Sequence, residues 1–335
     1  MTPFQDLVDL ASERLGGAVL LANDEFFAPK EALIKPGAPE WREHEYTERG
    51  KWMDGWETRR RRDPGYDWCI IRLGLPGVVR GLVVDTAFFR GNFPESCSVE
   101  GCDVTGGPDP QQIADEADWF EILPQSPLEG NAENLFPVTS ERRVTHLRLN
   151  IFPDGGVARL RVHGWSQPTF SKFALEGGEV DLAALENGGW VPACSDMFYG
   201  HRQNLILPGR SRFMGDGWET RRRGPGHHWS VVRLGAPGAI HRIELETDFF
   251  MGNAPVAVSL EGIHAPGAYM ADLNAEGALW MPLLDQIRLQ PHTRHRWEDE
   301  VRPIGPITHA RLNIFPDGGV ARLRLWGTLA SPPSS

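Results

Sequence analysis

The sequence has little with which to build a covalent staple, a membrane span or a nucleotide cradle. Its four cysteines, Cys69, Cys97, Cys102 and Cys194, do not recur at matching places in the two halves of the chain. A duplicated structural bridge would recur, so they read as structural or incidental thiols in a reducing compartment. No stretch approaches eighteen uninterrupted apolar residues, and Met1-Thr2-Pro3-Phe4-Gln5-Asp6 has neither the basic opening nor the apolar run of a secretory signal. A cytoplasmic protein without membrane association is expected. Positive charge is in deficit: 34 Lys and Arg stand against 45 Asp and Glu, for a net charge of -11. That balance argues against nucleic acid or an anionic membrane surface as a general partner. No Gly-x-Gly-x-x-Gly, Walker, His-Glu-x-x-His or Gly-x-Ser-x-Gly motif is present, which removes the common nucleotide-binding, zinc-protease and serine-hydrolase readings.

What the chain does have is turn-forming residues and a duplication. The 37 glycines and 27 prolines in 335 residues predict many short strands, and the length suits two domains, each with its own core. The segment Asp54-Gly55-Trp56-Glu57-Thr58-Arg59-Arg60-Arg61 returns unchanged as Asp216-Gly217-Trp218-Glu219-Thr220-Arg221-Arg222-Arg223. Identity across acid, base, glycine and a large aromatic is not the signature of a solvated charge run.

Around that segment the copies continue in register. Asn23-Asp24-Glu25-Phe26-Phe27 matches Ser195-Asp196-Met197-Phe198-Tyr199, with the two aspartates expected to cap turns. The runs from Asp67 and His228 read as strands, and Gly91-Asn92-Phe93-Pro94 and Gly252-Asn253-Ala254-Pro255 read as turns that follow Phe88 and Phe249. Asn150-Ile151-Phe152-Pro153-Asp154-Gly155-Gly156 and its copy from Asn313 interrupt two alternating runs, a strand-turn-strand pattern. Phe4, Leu7, Val8 and Leu10-Ala11 suggest a short amphipathic helix. Residues 106-140 and 265-305 suggest long ordered loops anchored by Trp119 and Trp280. Two β-sandwich domains follow from these patterns.

The recurrent polar set of Asp, Glu, Arg, His and Asn suits a ligand with a carboxylate and urea-like groups. Guanidinium forks match a carboxylate, and carboxylates and amides complement urea N–H and C=O groups.

On these motifs, from about residue 18 to 327, the sequence resembles the allantoicase family. The resemblance implies an all-β chain of two repeated jelly-roll domains, similar to galactose-binding domains. It also implies hydrolysis of allantoate to ureidoglycolate and urea in the degradation of purine-derived nitrogen, and a homo-oligomer. The expected parts are a lead-in at 1-17, repeats at 18-165 and 195-327, a connector at 166-194 and a tail at 328-335.

For that substrate a general acid would protonate the departing urea and water would add to the iminium-like carbon left behind. The candidate acids and bases are Asp216, Glu219 and His228 in the second repeat and Glu57 in the first. The candidate carboxylate clamps are Arg221 or Arg222, and Arg59. His146 and His309 recur before short strands and read either as ligands or as satisfied buried side chains. No cofactor is specified, and assistance by a divalent metal is left open. A noncatalytic jelly-roll module that binds a carbohydrate or small anion, and an oligomerisation protein, are the alternatives.

Overall fold

One strand of 19 residues organises each half. In the computed structural model, which describes residues 3–223, 226–268, 270–274 and 277–330, the chain forms two compact units, Met1–Gln167 and Pro168–Ser335. In the first unit, the strand Asp67–Asp85 is the hub of one eight-stranded antiparallel sheet. Its opening residues pair with Ala18–Ala22 and with Arg143–Phe152, and its later residues pair with Arg159–Ser166 and Glu133–Pro137. Gly74-Leu75-Pro76-Gly77 lies at the crossover, where the ladder to Arg143–Phe152 shifts register between Val144 and His146. Glycine and proline suit a strand that must bend and lose part of its ladder.

Arg143–Phe152 in turn carries Ser96–Cys102 and then Phe120–Pro127, while Arg159–Ser166 carries Val8–Asp9. Every one of these pairings is antiparallel. The second unit repeats the arrangement around His228–Glu246. The result is a duplicated jelly-roll sandwich.

Alternation in the strands explains the core. Cys69, Ile71, Leu82, Val84, Leu147, Leu149, Leu160 and Val162 are all fully buried, each large aliphatic side chain contributing about 1.5–3 kcal/mol. Ile70, which points the other way, is covered with Cys102 by Ile113. Ile113 belongs to the helix Pro110–Glu116, which begins where Asp109 accepts a hydrogen bond from the Gln111 N–H and proline takes the first turn. The four cysteines are free thiols, and Cys69, Cys97 and Cys102 are buried.

Three expectations from the sequence are corrected. Residues 4–11 do not form an amphipathic helix: a 3-10 turn, Pro3–Asp6, leads into the edge strand Val8–Asp9. Asp9 accepts hydrogen bonds from the N–H groups of Val162 and Ala11, which fixes an edge in place of a further helical turn. The expected loops hold the helix Pro110–Glu116 and the strands Phe120–Pro127, Glu133–Pro137, Met281–Arg288 and Arg294–Trp297. Proline and half-exposed alternation conceal edge strands from a sequence reading. Finally, neither the lead-in nor the connector stands apart. Val8–Asp9 and Val180–Asp181 are equivalent edge strands, Trp190–Cys194 pairs with the long strand, and the division falls at 167/168. Of the expected tail, residues 328 and 329 continue the last strand, and 331–335 lie outside the described residues. No helix among the described residues is long and apolar enough to cross a membrane.

Candidate functional site

Three of the repeated motifs meet at one end of each sandwich. Trp56–Glu57 pairs with Gly156–Val157, and Trp218–Glu219 pairs with Gly319–Val320, so the Asp-Gly-Trp-Glu segment lies against the residues that follow Phe-Pro-Asp-Gly. The residues from Asn23 or Ser195 close in from the other side through bridges between Ala28 and Glu57 and between Gly200 and Glu219. Trp56 and Trp218 are the floor: both are fully buried, and their indole N–H groups donate to the carbonyls of Asp24 and Asp196 at 2.8 Å. Gly155 is required here. Its φ is +140°, and a β-carbon would meet the Asn92 carbonyl oxygen at 2.7 Å.

This convergence places the Gly-Asn-x-Pro turn beside the glutamate. Asn92 Nδ2 donates to Glu57 Oε1 at 2.6 Å, and Asn253 Nδ2 donates to Glu219 Oε1 at 2.6 Å. In the first unit the pair lines a cleft of ≈ 570 Å³ with Arg60, Arg61, Phe93 and Asp154. Burial pushes the Glu57 carboxyl above its ordinary range, against the opposing effect of the Asn92 hydrogen bond. A smaller recess of ≈ 450 Å³, bordered by Asn23, Asp24 and Asp67, shares Arg60 and Arg61 with the cleft. The second unit keeps the acid and amide but has Ala254 where the first has Phe93, and Val256 where it has Glu95.

The sequence-derived candidates separate clearly. Glu57 and Glu219 take the positions just described. Arg59 Nε donates to Asp24 at 2.6 Å and Arg221 Nε to Asp196 at 2.8 Å, and each guanidinium lies 5.3 Å from the ring centre of Phe26 or Phe198. Asp24 and Asp196 also accept backbone N–H groups from Phe26 and Phe198, so they do close the turns. Although burial opposes it, the backbone and arginine hydrogen bonds hold both aspartates below the usual carboxylate range. Arg59 and Arg221 are therefore already occupied. Arg222 and its counterpart Arg60 have no side-chain partner among the described residues.

Asp216 lies beneath the site. It is 1 % exposed, accepts the Arg212 N–H, and faces the equally buried Arg322 at 3.7 Å. Its counterpart Asp54 is held by Arg159 at 2.5 Å and Lys35 at 3.1 Å. This geometry ties the turn to the core. His228, at the start of the long strand, takes the place that Asp67 has in the first unit, with Nδ1 3.0 Å from Ser195 Oγ.

His146 and His309 are buried, each with Nδ1 2.9 Å from the hydroxyl of the preceding threonine. Burial, with a cationic arginine nearby, pushes both imidazoles down to about 4. Among the described residues no group of three or more His, Cys, Asp or Glu side chains is placed to hold a metal ion. The cleft carries the carboxylates of Glu57, Glu95 and Asp154 beside Arg60 and Arg61, but Glu57 is bonded to the Asn92 amide and Asp154 to the Arg61 N–H, which leaves a poor donor set for a divalent cation.

A second concavity of ≈ 540 Å³ lies on the second unit, along Trp229, Glu261, Arg311 and Asn313. Its charges are already matched, since Arg311 and Asn313 both donate to Glu261.

Asn92, Asn253 and Arg60 carry no functional mark in the sequence. The two asparagines were legible only as turn residues, although a repeated amide beside a repeated acid was the available signal.

Comparison with known proteins bears on the same segments. A family model described as an allantoicase repeat matches residues 8–167 and again 180–330. The chain is 47% identical over 331 residues to a probable allantoicase of Pseudomonas aeruginosa, with 98% of each chain covered. It is 45% identical over 325 residues to a probable allantoicase of Photobacterium profundum, with 97% of each covered. The crystal structure of allantoicase from Saccharomyces cerevisiae superposes with a TM-score of 0.78 at 35% identity, covering 96% of this chain and 92% of that one. Both copies of the motif-bearing unit fall within these matches, and the chain belongs to the allantoicase family.

Proposed function

We propose that the chain hydrolyses allantoate, with water, to ureidoglycolate and urea. The observation that carries this reading is the acid–amide pair, Glu57 with Asn92 and Glu219 with Asn253, set in the first unit beside Arg60, whose counterpart in the repeat is Arg222. Allantoate presents one carboxylate and two ureido groups on a single carbon, and these are the groups that such a set complements.

The reaction breaks one bond between the central carbon and a ureido nitrogen. Glu57 or Glu219, in its protonated form, donates a proton to that nitrogen, and neutral urea departs. The lone pair of the remaining ureido nitrogen forms a C=N bond to the same carbon. Water then adds to the carbon and loses a proton to the carboxylate, which restores the acid and leaves the hydroxyl of ureidoglycolate. Burial, which raises the Glu57 pKa, favours the protonated form that donates. The asparagine amide orients the carboxyl and leaves its second oxygen for the substrate. Arg60 and Arg222 draw the anionic substrate toward the mouth by their charge, while Arg59 and Arg221 brace the aromatic turns. Asp216 supports the site from below, and His228 contributes to recognition.

The exposed side chains Phe198, Tyr199, Phe213 and Met251 support self-association as a homo-oligomer. The four free thiols support a reducing, cytoplasmic setting.

Purified protein incubated with allantoate should release urea and ureidoglycolate in equal amounts. A preparation that binds allantoate without releasing either product would leave only the binding-module alternative.

A further inference from the structure

The two units differ at one position that decides the fate of a charge. In the first, Arg61 Nη1 donates to Asp67 Oδ1 at 2.6 Å, and Asn23 Nδ2 donates to the same oxygen at 3.1 Å. The guanidinium is neutralised by the protein's own carboxylate, inside the recess that adjoins the acid cleft.

In the second unit Arg223 takes the place of Arg61. Its backbone N–H donates to Asp317 Oδ2 at 3.0 Å, as that of Arg61 donates to Asp154 Oδ2 at 2.8 Å. The place of Asp67 is taken by His228, which pairs with Ile314 as Asp67 pairs with Ile151. Asn23 is replaced by Ser195, whose hydroxyl lies 3.0 Å from His228 Nδ1. The carboxylate is gone, and no described residue replaces it. Arg223 has no side-chain partner among the described residues. His228 is only 7 % exposed, yet its buried Nε2 has no hydrogen-bond partner there either. Ser195 Oγ accepts from the Trp229 N–H at 2.9 Å and lies 3.3 Å from the Trp229 carbonyl; when its hydroxyl donates instead to Nδ1, the shorter contact, the ring proton sits on Nε2, which becomes a second donor. A buried donor left unmatched is costly unless a ligand satisfies it.

We propose that the second unit binds the carboxylate of its substrate here, the ligand's carboxylate standing where Asp67 stands in the first unit and accepting from Arg223 and His228 Nε2. In the first unit the corresponding recess and cleft share Arg60 and Arg61, so in the second their counterparts Arg222 and Arg223 would stand between the carboxylate and ureido subsites, with the ureido group reaching Glu219 and Asn253. The ligand class is an α-carboxylate whose α-carbon bears ureido nitrogen. The first unit, with its arginine already paired, lacks this subsite, which makes the second unit the one that recognises the anion. This inference rests on the hydrolytic reading and adds to it the place where the carboxylate binds.

The test is steady-state kinetics with allantoate on the full chain. Arg223→Gln should raise KM at least about tenfold, the expected loss of a charge-assisted hydrogen bond, with kcat changed less than about threefold. Arg223→Lys should recover part of the loss. His228→Asp, which rebuilds the first unit's ion pair, should raise KM as well, because the installed carboxylate competes for Arg223. A KM within about twofold of the unaltered protein in both Arg223→Gln and His228→Asp overturns the proposal. If the unaltered chain releases no urea, the hydrolytic reading fails, and calorimetry with glycolate still decides this site: binding abolished by Arg223→Gln supports it, and binding unaffected by that change refutes it.

Discussion

Asn92 donates its side-chain amide to the carboxylate of Glu57 across 2.6 Å, joining two turns 35 residues apart in sequence. The second unit makes the same contact between Asn253 and Glu219. Proton transfer by a positioned acid contributes about 10²–10⁴-fold in rate. The double change Glu57→Gln and Glu219→Gln, which keeps size and hydrogen-bonding capacity, should therefore lower kcat by about 100-fold or more, with circular dichroism unchanged. Urea release measured under saturating allantoate checks this.

The amides make a prediction of their own. Burial raises the Glu57 pKa and the Asn92 hydrogen bond lowers it, so Asn92→Ala removes the lowering influence. The protonated form would then persist to higher pH. In Asn92→Ala, the falling alkaline limb of the pH–rate profile due to Glu57 should move upward while the maximum rate drops. A limb that stays in place, or moves down, would show that this carboxyl is not the acid the reaction uses.

Much of the fold was legible because the duplication could be read twice. The alternating runs around Asn150 and Asn313 are apolar on a period of two, and the turn between them carries its own glycines, so local chemistry and burial agree. The edge strands were not legible. Val8–Asp9 and Glu133–Pro137 are short, partly exposed and marked by proline or acid, and only their partners in the sheet make them strands. The site divided in the same way. Glu57 and Glu219 stood out as repeated acids, but nothing in an Asp-Gly-Trp-Glu-Thr-Arg string reveals that Arg59 is taken by Asp24 or that Asp216 is buried against Arg322. Those partners lie 35 and 106 residues away and are fixed by tertiary contact.

The buried ion pair beneath each site makes a stability prediction. Arg159 and Asp54 are both almost fully buried, and Arg159 also donates to the Asp54 carbonyl at 3.0 Å. Removing one partner leaves an uncompensated buried charge, which costs about 3–5 kcal/mol. Asp54→Ala should lower the denaturant midpoint of unfolding accordingly, and Asp216→Ala should act in the same direction by stranding Arg322. At a temperature where Asp216→Ala remains folded, its kcat should stay within about threefold of the unaltered chain. A folded variant that had lost turnover would instead place Asp216 in the chemistry.

The paired histidines set an acid limit on the fold. His146 and His309 are buried against Thr145 and Thr308, and burial pushes their pKa down to about 4 from an ordinary value of 6.5. A group whose pKa is lower in the folded state binds fewer protons there than in the unfolded chain, so protonation favours unfolding as pH falls. The stability attributable to each neutral ring is complete above about 6.5 and is lost progressively down to about 4. Replacing both residues with glutamine, which keeps a polar side chain but cannot titrate, should flatten the fall in unfolding free energy across that window. Chemical denaturation at several pH values measures the slope directly. An unchanged slope would mean that the acid sensitivity arises elsewhere, for instance from the carboxylates that Arg159, Arg59 and Arg221 hold in their charged form.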